Sequence, residues 1–232
     1  MGAVMGSKNL RAVVARGKAR VPLKDKDKVG ELARWMVGHA KTAVPVFTDS
    51  GTAGVSVIPL NAAGGLPTRN FQEGVFEGAE AISGQTMRDT ILVGRETCYA
   101  CPIRCKRVVR AEKPYKVDPK LGGPEYESIG SLGSVLGIDD LVAVAKGNEL
   151  CNAYGIDTIS AGVSIAFAME CFQKGILTLE DTDGIDMHFG NAIAMIACIE
   201  LIKDKESFGE FLCLGAKGMA EKIGPAAMDM AM

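Results

Sequence analysis

Three closely spaced cysteines are the part of this 232-residue sequence best suited to chemistry. Cys98, Cys101 and Cys105 form the pattern CxxCxxxC within the segment TCYACPIRCKR. Three thiolates this close can converge on one face of a loop and bind three corners of an iron–sulfur cube, with the fourth ligand supplied from a distant part of the protein. Three cations adjoin the motif and would offset the negative charge of such a cluster: Arg104, Lys106 and Arg107.

Two other roles for these cysteines stay open at the level of sequence. Cysteine is among the most frequently buried residue types, so the three thiols could belong to the core. They could also form half of a zinc site, although zinc would require a second pair of ligands nearby. Radical enzymes that use S-adenosylmethionine space their cysteines with the gaps in the opposite order, so the motif matches them poorly.

The other four cysteines occur singly within helical patterns, and we expect them to pack in the core: Cys151, Cys171, Cys198 and Cys213. Cys151 is retained as a spare ligand for the cluster. The total of seven cysteines is odd, and clustered thiols in a sequence without secretory features favour metal binding over disulfides.

Composition and charge limit the class of protein. The sequence is 47% hydrophobic and 23% charged, which suits a globular protein with a substantial core. Its net charge of −2 provides no electrostatic basis for binding nucleic acid or an anionic membrane surface. No apolar run reaches the ~18 residues of a membrane span, and the first ten residues lack a signal-peptide pattern. We therefore expect a cytoplasmic protein.

The segments that position the cysteines have mostly helical patterns. Apolar residues at helical spacing predict a helix from Asp25 to His39. Asp139 or Asp140 can cap a second helix that runs through Cys151 and ends at Gly155. Three further helices are predicted over about Ser160–Lys174, Asn191–Lys203 and Ser207–Lys222.

Two segments depart from the helical pattern. The β-branched run Leu10–Arg16 predicts a strand. Val44–Thr68 is rich in glycine, alanine and proline, which predicts an ordered loop with short helical turns, packed through its apolar residues. Because the sequence opens in mid-strand and stops without a helix cap, we expect both ends to be cut from a larger protein.

Several sequence blocks, taken in order, resemble the aldehyde ferredoxin oxidoreductase family of tungsten-pterin enzymes. The blocks are GAVMGSKNLRAV, NAAGGLPTRNF, ETCYACPIRCKR, GGPEYESIGSLGSVLGI, and NELCNAYGIDTIS followed by GVSIAFAMECFQKG. The resemblance implies a mainly α fold, the helical middle domain of this family with a short N-terminal β segment. Residues 1–16 would be the remnant of an N-terminal pterin-binding β domain, and residues 17–232 the helical domain bearing the cluster. A C-terminal domain would be absent.

The resemblance also implies roles for the residues nearest the metal. Cys98, Cys101 and Cys105 would be three of the four ligands of a [4Fe-4S] cluster, beside tungsten or molybdenum held by two pterins. In the segment GPEYE, Glu127 and, second to it, Glu125 would be the catalytic carboxylate that accepts a proton or positions the aldehyde. Apart from the family, these glutamates are equally suited to cap the following helix.

Cofactor-binding residues are implied at two further places. The segment NAYGIDT resembles the pterin-contacting motif of the family, whose first position is usually aspartate. Here it is Asn152, which can accept a hydrogen bond through its carbonyl but carries no charge. Asp157 is a second candidate, with a helix cap as its alternative role. Near the start, the family implies a phosphate-binding segment at Gly6, Ser7 and Lys8.

The implied function is an oxidoreductase that oxidises aldehydes to carboxylic acids at a tungsten-bis-pterin centre and passes electrons through the cluster to ferredoxin. The alternative is an iron–sulfur electron-transfer module, or a subunit of a related tungsten enzyme of the aromatic acyl-CoA reductase type. The expected partners are ferredoxin, a small aldehyde substrate and the flanking domains, and a homodimer is left open. As a fragment, the chain is expected to be inactive by itself.

Overall fold

The computed structural model describes residues 2–232 of the chain, which falls into two compact units, Met1–Gly38 and His39–Met232. In the N-terminal unit, helix α1 (Gly2–Ser7) is followed by an irregular segment. Helix α2 (Lys26–Ala43) comes next along the chain. Helix α2 confirms the helix predicted from Asp25. The Asp25 carboxylate accepts a hydrogen bond from the N–H of Lys28 at 2.8 Å, as expected at a helix start.

The strand predicted over Leu10–Arg16 is wrong. No strand is assigned to residues 8–25, and the β-branched side chains of Val13 and Val14 are 77% and 89% exposed. A strand forms only where a neighbouring strand completes its backbone hydrogen bonds. Within residues 2–232 no segment pairs with Leu10–Arg16, so its β-branched residues do not form a strand. The predicted domain boundary between residues 16 and 17 stays a prediction.

Helix α3 (Pro45–Ala62) corrects the prediction of a loop over Val44–Thr68. Pro45 occupies the first turn, where its missing N–H would have no helical partner. The small residues that suggested a loop instead allow the helix to pack closely, and Ala53 and Val57 are buried. The prediction that this segment is packed is thereby confirmed.

A β-hairpin follows helix α4 (Gly84–Thr90). Its two strands form the sheet that the structure shows within residues 2–232. Strands β1 (Leu92–Glu96) and β2 (Lys106–Val109) pair in antiparallel fashion, with Arg95 opposite Arg107. The connection between them, residues 97–105, contains all three cysteines of the motif.

The remainder of the second unit is helical. Its helices are α5 (Tyr126–Leu132), α6 (Leu141–Tyr154), α7 (Thr158–Gln173), α8 (Ala192–Asp204), α9 (Phe208–Leu212), α10 (Gly215–Ile223) and α11 (Pro225–Met228). The mainly α fold is therefore confirmed.

The ends of α6 follow from its capping residues. The Asp140 carboxylate accepts hydrogen bonds from the N–H groups of Val142 and Ala143 at 2.9 and 3.0 Å. Gly155 ends the helix in the left-handed conformation, with φ of 73°. The helices predicted here and over the regions of α7 and α8 are confirmed. The single helix predicted over Ser207–Lys222 is instead two, because the left-handed backbone of Gly215 cannot continue a helix.

Helix α7 lies at the centre of the core. Its residues Ile165, Phe167 and Met169 are fully buried, and it contacts α5, α6, α8, α9 and α10. Burial on all sides explains why the helix is apolar around most of its circumference. Each large apolar side chain buried there contributes roughly 1.5–3 kcal/mol. No helix among residues 2–232 is both long and apolar enough to cross a bilayer.

Candidate functional site

The candidate site is built around the connection between β1 and β2, here called the cysteine loop (residues 97–105). All three of its thiols are free; Cys98 is exposed, and Cys101 and Cys105 are half-buried. The loop closes on itself through a hydrogen bond from the N–H of Cys101 to the carbonyl of Cys98 at 3.1 Å. The Thr97 hydroxyl lies within hydrogen-bonding distance of the carbonyl oxygens of both residues.

The thiols influence one another and a neighbouring carboxylate. Burial raises the pKa of Cys105, and the nearby charges of Glu125, Cys101 and Cys98 raise it further. Free thiols on one accessible loop have the donor chemistry of an iron–sulfur ligand set. Within residues 2–232 no three His, Cys, Asp or Glu side chains are gathered into a group that could hold a metal ion. The ligand roles of the three cysteines stay a prediction.

Arg107 anchors the cysteine loop to α3. Its guanidinium donates to the carbonyl oxygens of Arg104 and Cys105 at 2.6 and 2.9 Å. It also donates to the carbonyl of Asp49 at 2.7 Å and, more weakly, to that of Thr48 at 3.4 Å. Burial, followed by the positive charge of Arg95, lowers the pKa of this guanidinium, which is nonetheless charged at neutral pH as arginine always is.

The carbonyl oxygens on α3 point to Arg107 because the helix is kinked at Gly51. This residue has φ of 68° and ψ of −163°, a conformation open essentially to glycine alone. A Cβ added to Gly51 would lie 3.0 Å from the carbonyl oxygen of Cys105 and 3.1 Å from Nε of Arg107. Glycine therefore allows both the kink and the close approach of the loop.

The side chain of Asp49 fixes the other strand of the hairpin. Its carboxylate oxygens accept hydrogen bonds from Arg88 at 2.6 Å and from Arg95 on β1 at 2.7 Å. The bond from Arg88 is the main cause of the lowered pKa of Asp49. Helix α3 thus holds β1 through the carboxylate of Asp49 and β2 through its carbonyl.

A polar cavity of about 360 Å³ adjoins the hairpin. Among the residues that line it are Lys106, Arg107, Lys120, Glu125 and Asn152. Two sequence-predicted site residues, Glu125 and Asn152, are thus brought together with the base of the cysteine loop. Its wall contains three cations and two carboxylates, Glu96 and Glu125, so the cavity has a small excess of positive charge toward an anionic group.

One end of the Asn152 side-chain amide forms a hydrogen bond within the protein, and the other end can still accept one. Its Nδ2 donates to the carbonyl of Leu121 at 3.1 Å, a bond that an aspartate at this position could not make because it has no donor. Its Oδ1 keeps the ability to accept a hydrogen bond. Asn152 therefore combines a structural bond to the cavity wall with one acceptor for a ligand.

The two glutamates of the GPEYE segment occupy different surroundings. Glu125 is half-buried, and its carboxylate accepts a hydrogen bond from the hydroxyl of Thr52 on α3. The same hydroxyl oxygen accepts from the N–H of Tyr126 at 2.9 Å. Glu127, in the first turn of α5, is exposed and lines two further cavities, of about 80 and 180 Å³. Neither makes a side-chain capping bond at the start of α5, so helix capping is not the observed role of Glu125.

Asp157 caps α7. Its carboxylate accepts hydrogen bonds from the N–H and hydroxyl of Ser160 at 2.8 and 2.6 Å, which is the alternative role considered from sequence. Gly6, Ser7 and Lys8 lie in the N-terminal unit at the end of α1, where the N–H of Lys8 donates to the carbonyl of Met5. Their contact with a cofactor stays a prediction, as does that of Asp157.

The cysteines outside the loop divide into two groups. Cys151, Cys171 and Cys198 are fully buried, as expected, and burial raises the pKa to about 12, about 11 and about 12, respectively. The expectation of burial is wrong for Cys213, which is exposed at the end of α9. Its position between two short helices, rather than inside one long helix, explains this difference.

These environments predict a pattern of alkylation. We expect Cys98 and Cys213 to react with iodoacetamide at pH 8, Cys105 to react more slowly, and Cys151, Cys171 and Cys198 to react only after unfolding. The thiolate is the reactive form, and burial removes both access and ionisation. Peptide mapping by mass spectrometry after timed labelling measures each site. Rapid labelling of Cys198 in the folded chain would contradict the buried core.

Comparison with known proteins gives consistent matches. The family model "Aldehyde ferredoxin oxidoreductase, domains 2 & 3" matches residues 30–232. The tungsten-containing aldehyde ferredoxin oxidoreductase of Pyrococcus abyssi is 41% identical over 232 residues, covering 96% of this chain and 37% of that protein. The enzyme of the same name from Thermococcus kodakarensis is 39% identical, covering 100% of this chain and 38% of that protein.

A solved structure shares this fold. It is the active-site complex BamBC of benzoyl coenzyme A reductase, with a TM-score of 0.70, covering 99% of this chain and 36% of that one. The two sequences are 21% identical, so this similarity shows a shared fold and nothing about function.

The chain thus spans a little over a third of the length of these relatives: 37% of the Pyrococcus abyssi protein and 38% of the Thermococcus kodakarensis protein. The family match covers most of the helical body and the entire cysteine loop. This chain belongs to the aldehyde ferredoxin oxidoreductase family.

Proposed function

We propose that this chain forms part of an oxidoreductase that converts aldehydes to carboxylic acids and delivers the electrons to ferredoxin in the cytoplasm. The observation that carries the proposal is the 41% identity to a tungsten-containing aldehyde ferredoxin oxidoreductase over 96% of the chain. The balanced reaction takes one aldehyde and one water to one carboxylic acid, two protons and two electrons. Fold similarity at 21% identity does not favour the alternative aromatic acyl-CoA reductase.

The proposed cofactors are a [4Fe-4S] cluster and tungsten, or molybdenum, bound by two pterins. Cys98, Cys101 and Cys105 would bind the cluster, since thiolates are its usual protein ligands. When bound, the metal centre would supply two-electron redox chemistry and the cluster one-electron transfer. Asn152, whose Oδ1 can accept a hydrogen bond in the polar cavity, would bind a pterin N–H. Asp157, Gly6, Ser7 and Lys8 are proposed as further cofactor contacts on the basis of the family pattern.

Glu127 is the proposed catalytic carboxylate. It is exposed and lines two cavities. Phe71 and Ile159 lie in the wall of one, and Tyr126 lies in the wall of both, so Glu127 can accept a proton from a water or substrate held there. Glu125 is less available to accept a proton, because its carboxylate already accepts a hydrogen bond from the Thr52 hydroxyl. Glu125 would therefore position α5, with proton transfer as its second role.

The proposal is tested first on the cysteine loop. We expect the 232-residue chain, incubated anaerobically with ferrous iron, sulfide and thiol, to take up a cluster that absorbs visible light. Cys98→Ser, Cys101→Ser and Cys105→Ser should each lose most of the bound iron and sulfide, because serine oxygen is a poor replacement for thiolate. Cys213→Ser removes an exposed thiol outside the loop and should retain the wild-type content.

Two outcomes of this loading experiment would overturn the proposal. One is zinc bound by the loop with no uptake of iron and sulfide, which would favour a structural zinc site. The other is equal iron and sulfide in the loop variants and in Cys213→Ser. An iron–sulfur chain that binds neither tungsten nor molybdenum when produced with the rest of its coding sequence would favour the electron-transfer module.

A further inference from the structure

Arg107 is a buried cation that is bound to carbonyl oxygens instead of a carboxylate. The residue is 3% exposed, and its four hydrogen bonds all go to main-chain oxygens. Among the ion pairs of residues 2–232, the neighbouring Arg88 and Arg95 both pair with Asp49, and Arg107 does not. The negative charges of Glu125 and Asp49 act on the guanidinium from nearby, but neither carboxylate forms an ion pair with it. A buried charge that lacks a direct ion pair is costly, so an anion bound beside Arg107 would stabilise it.

The bonds of Arg107 are concentrated where the third cysteine is presented. Arg104, immediately before Cys105, has a left-handed backbone with φ of 58°, which a non-glycine residue adopts only at a cost. Arg107 binds the carbonyl of Arg104 and the carbonyl of Cys105, so it bonds both peptides that determine the direction of the Cys105 side chain. The side chain of Arg104 adds a bond to the carbonyl of Arg95 at 2.8 Å.

The opposite side of the guanidinium is held by α3. The kink at Gly51 leaves the carbonyl oxygens of Thr48 and Asp49 available to Arg107. A guanidinium has five donors in a fixed plane, which suits simultaneous bonds to two separate segments. A lysine ammonium would supply the charge but could not span both segments with the same geometry.

We propose that Arg107 is a positioning residue that fixes Cys105 as a ligand and supplies the positive charge that raises the reduction potential of the bound cluster. This inference rests on the proposed function, since it takes Cys105 to be a cluster ligand. Reduction adds a negative charge to the cluster, and a nearby cation stabilises that charge. Removing the cation makes the potential more negative.

Three variants of the full 232-residue chain separate charge from geometry. Arg107→Gln removes the charge and most of the donors, whereas Arg107→Lys retains the charge and loses the planar arrangement. Arg110→Gln is the matched control, because it removes the same charge from an exposed residue just beyond the end of β2. After anaerobic reconstitution with iron and sulfide, each chain is titrated with dithionite, and the potential and the electron paramagnetic resonance spectrum are recorded.

We expect Arg107→Gln to shift the potential to a more negative value than Arg110→Gln does. Arg107→Lys should keep a potential near that of the wild type but show altered resonance lines and a higher rate of Cys105 alkylation before reconstitution. A role confined to stability would reduce the amount of cluster without changing the potential of the cluster that forms.

The outcomes distinguish this inference from the proposed function. If the wild-type chain takes up no cluster, the proposed function fails, and the role of Arg107 fails with it. If the wild type and Arg110→Gln bind a cluster, an unchanged potential in Arg107→Gln overturns the charge role. If Arg107→Gln does not fold, the positioning role is tested with Arg107→Lys alone. Resonance lines and a Cys105 alkylation rate equal to those of the wild type would then overturn that role.

Discussion

Replacement of Gly51 by alanine is expected to destabilise the chain by about 1–3 kcal/mol and to displace the cysteine loop. The backbone of Gly51, at φ 68° and ψ −163°, lies in a region that other residues enter only at a cost of that order. The new Cβ would also crowd the carbonyl oxygen of Cys105 at 3.0 Å. Urea unfolding measures the stability, and the alkylation rate of Cys105 reports the position of the loop.

Gly64→Ala is the control for Gly51→Ala. Gly64 also has positive φ, 73°, but a Cβ there would meet no atom within 4 Å. It should therefore lose stability through its backbone alone and leave Cys105 alkylation unchanged. Equal alkylation of Cys105 in the two variants would show that the kink does not control the loop.

The kink at Gly51 marks a limit of prediction from sequence. Glycines and prolines lower helix propensity, which favours a loop over Val44–Thr68, but tertiary packing overrides propensity. In α3 the small residues allow close packing, as the burial of Ala53 and Gly54 shows. By contrast, α6 was predictable because Asp140 and Gly155 are local signals that act through their own backbone neighbours.

The N-terminal strand was mispredicted for a related reason. Val13 and Val14 favour extended backbone, but strand formation depends on a partner whose presence the sequence of the strand does not encode. The division of the helix predicted over Ser207–Lys222 depended on a single left-handed residue, Gly215. Glycine within a helical pattern is a weaker signal than glycine at its end, where it is common.

The candidate site was partly visible in the sequence. The spacing of Cys98, Cys101 and Cys105 identifies the loop, whereas the sequence presents Arg107 only as one of several neighbouring cations. Its burial had a signal: Arg107 alternates with Val109 and Ala111, and all three are buried, as expected for one face of a strand. The bond between Thr52 and Glu125 had no sequence signal, because it joins residues 73 positions apart.

The second large effect is expected for Gly162→Ala in α7. A Cβ at this position would lie 2.3 Å from the carbonyl oxygen of Ser131 and 2.6 Å from its carbonyl carbon, so α5 and α7 would have to separate. Overpacking of this kind costs about 1–3 kcal/mol, and the better helix propensity of alanine offsets only roughly 0.5–1 kcal/mol of it. Urea unfolding of the chain measures the net change.

The consequence extends to the candidate active site because α5 also carries Glu127. Ser131, Val163 and Glu127 line the same cavity of about 80 Å³, so separation of the helices changes the distance between the carboxylate and the opposite wall. Hydrogen exchange should become faster at the amides of α5 in Gly162→Ala. Gly130→Ala is the control within α5, since its Cβ would meet no atom within 4 Å, and it should leave stability unchanged or improve it. Comparable losses in the two variants would mean that close contact between α5 and α7 does not hold Glu127 in place.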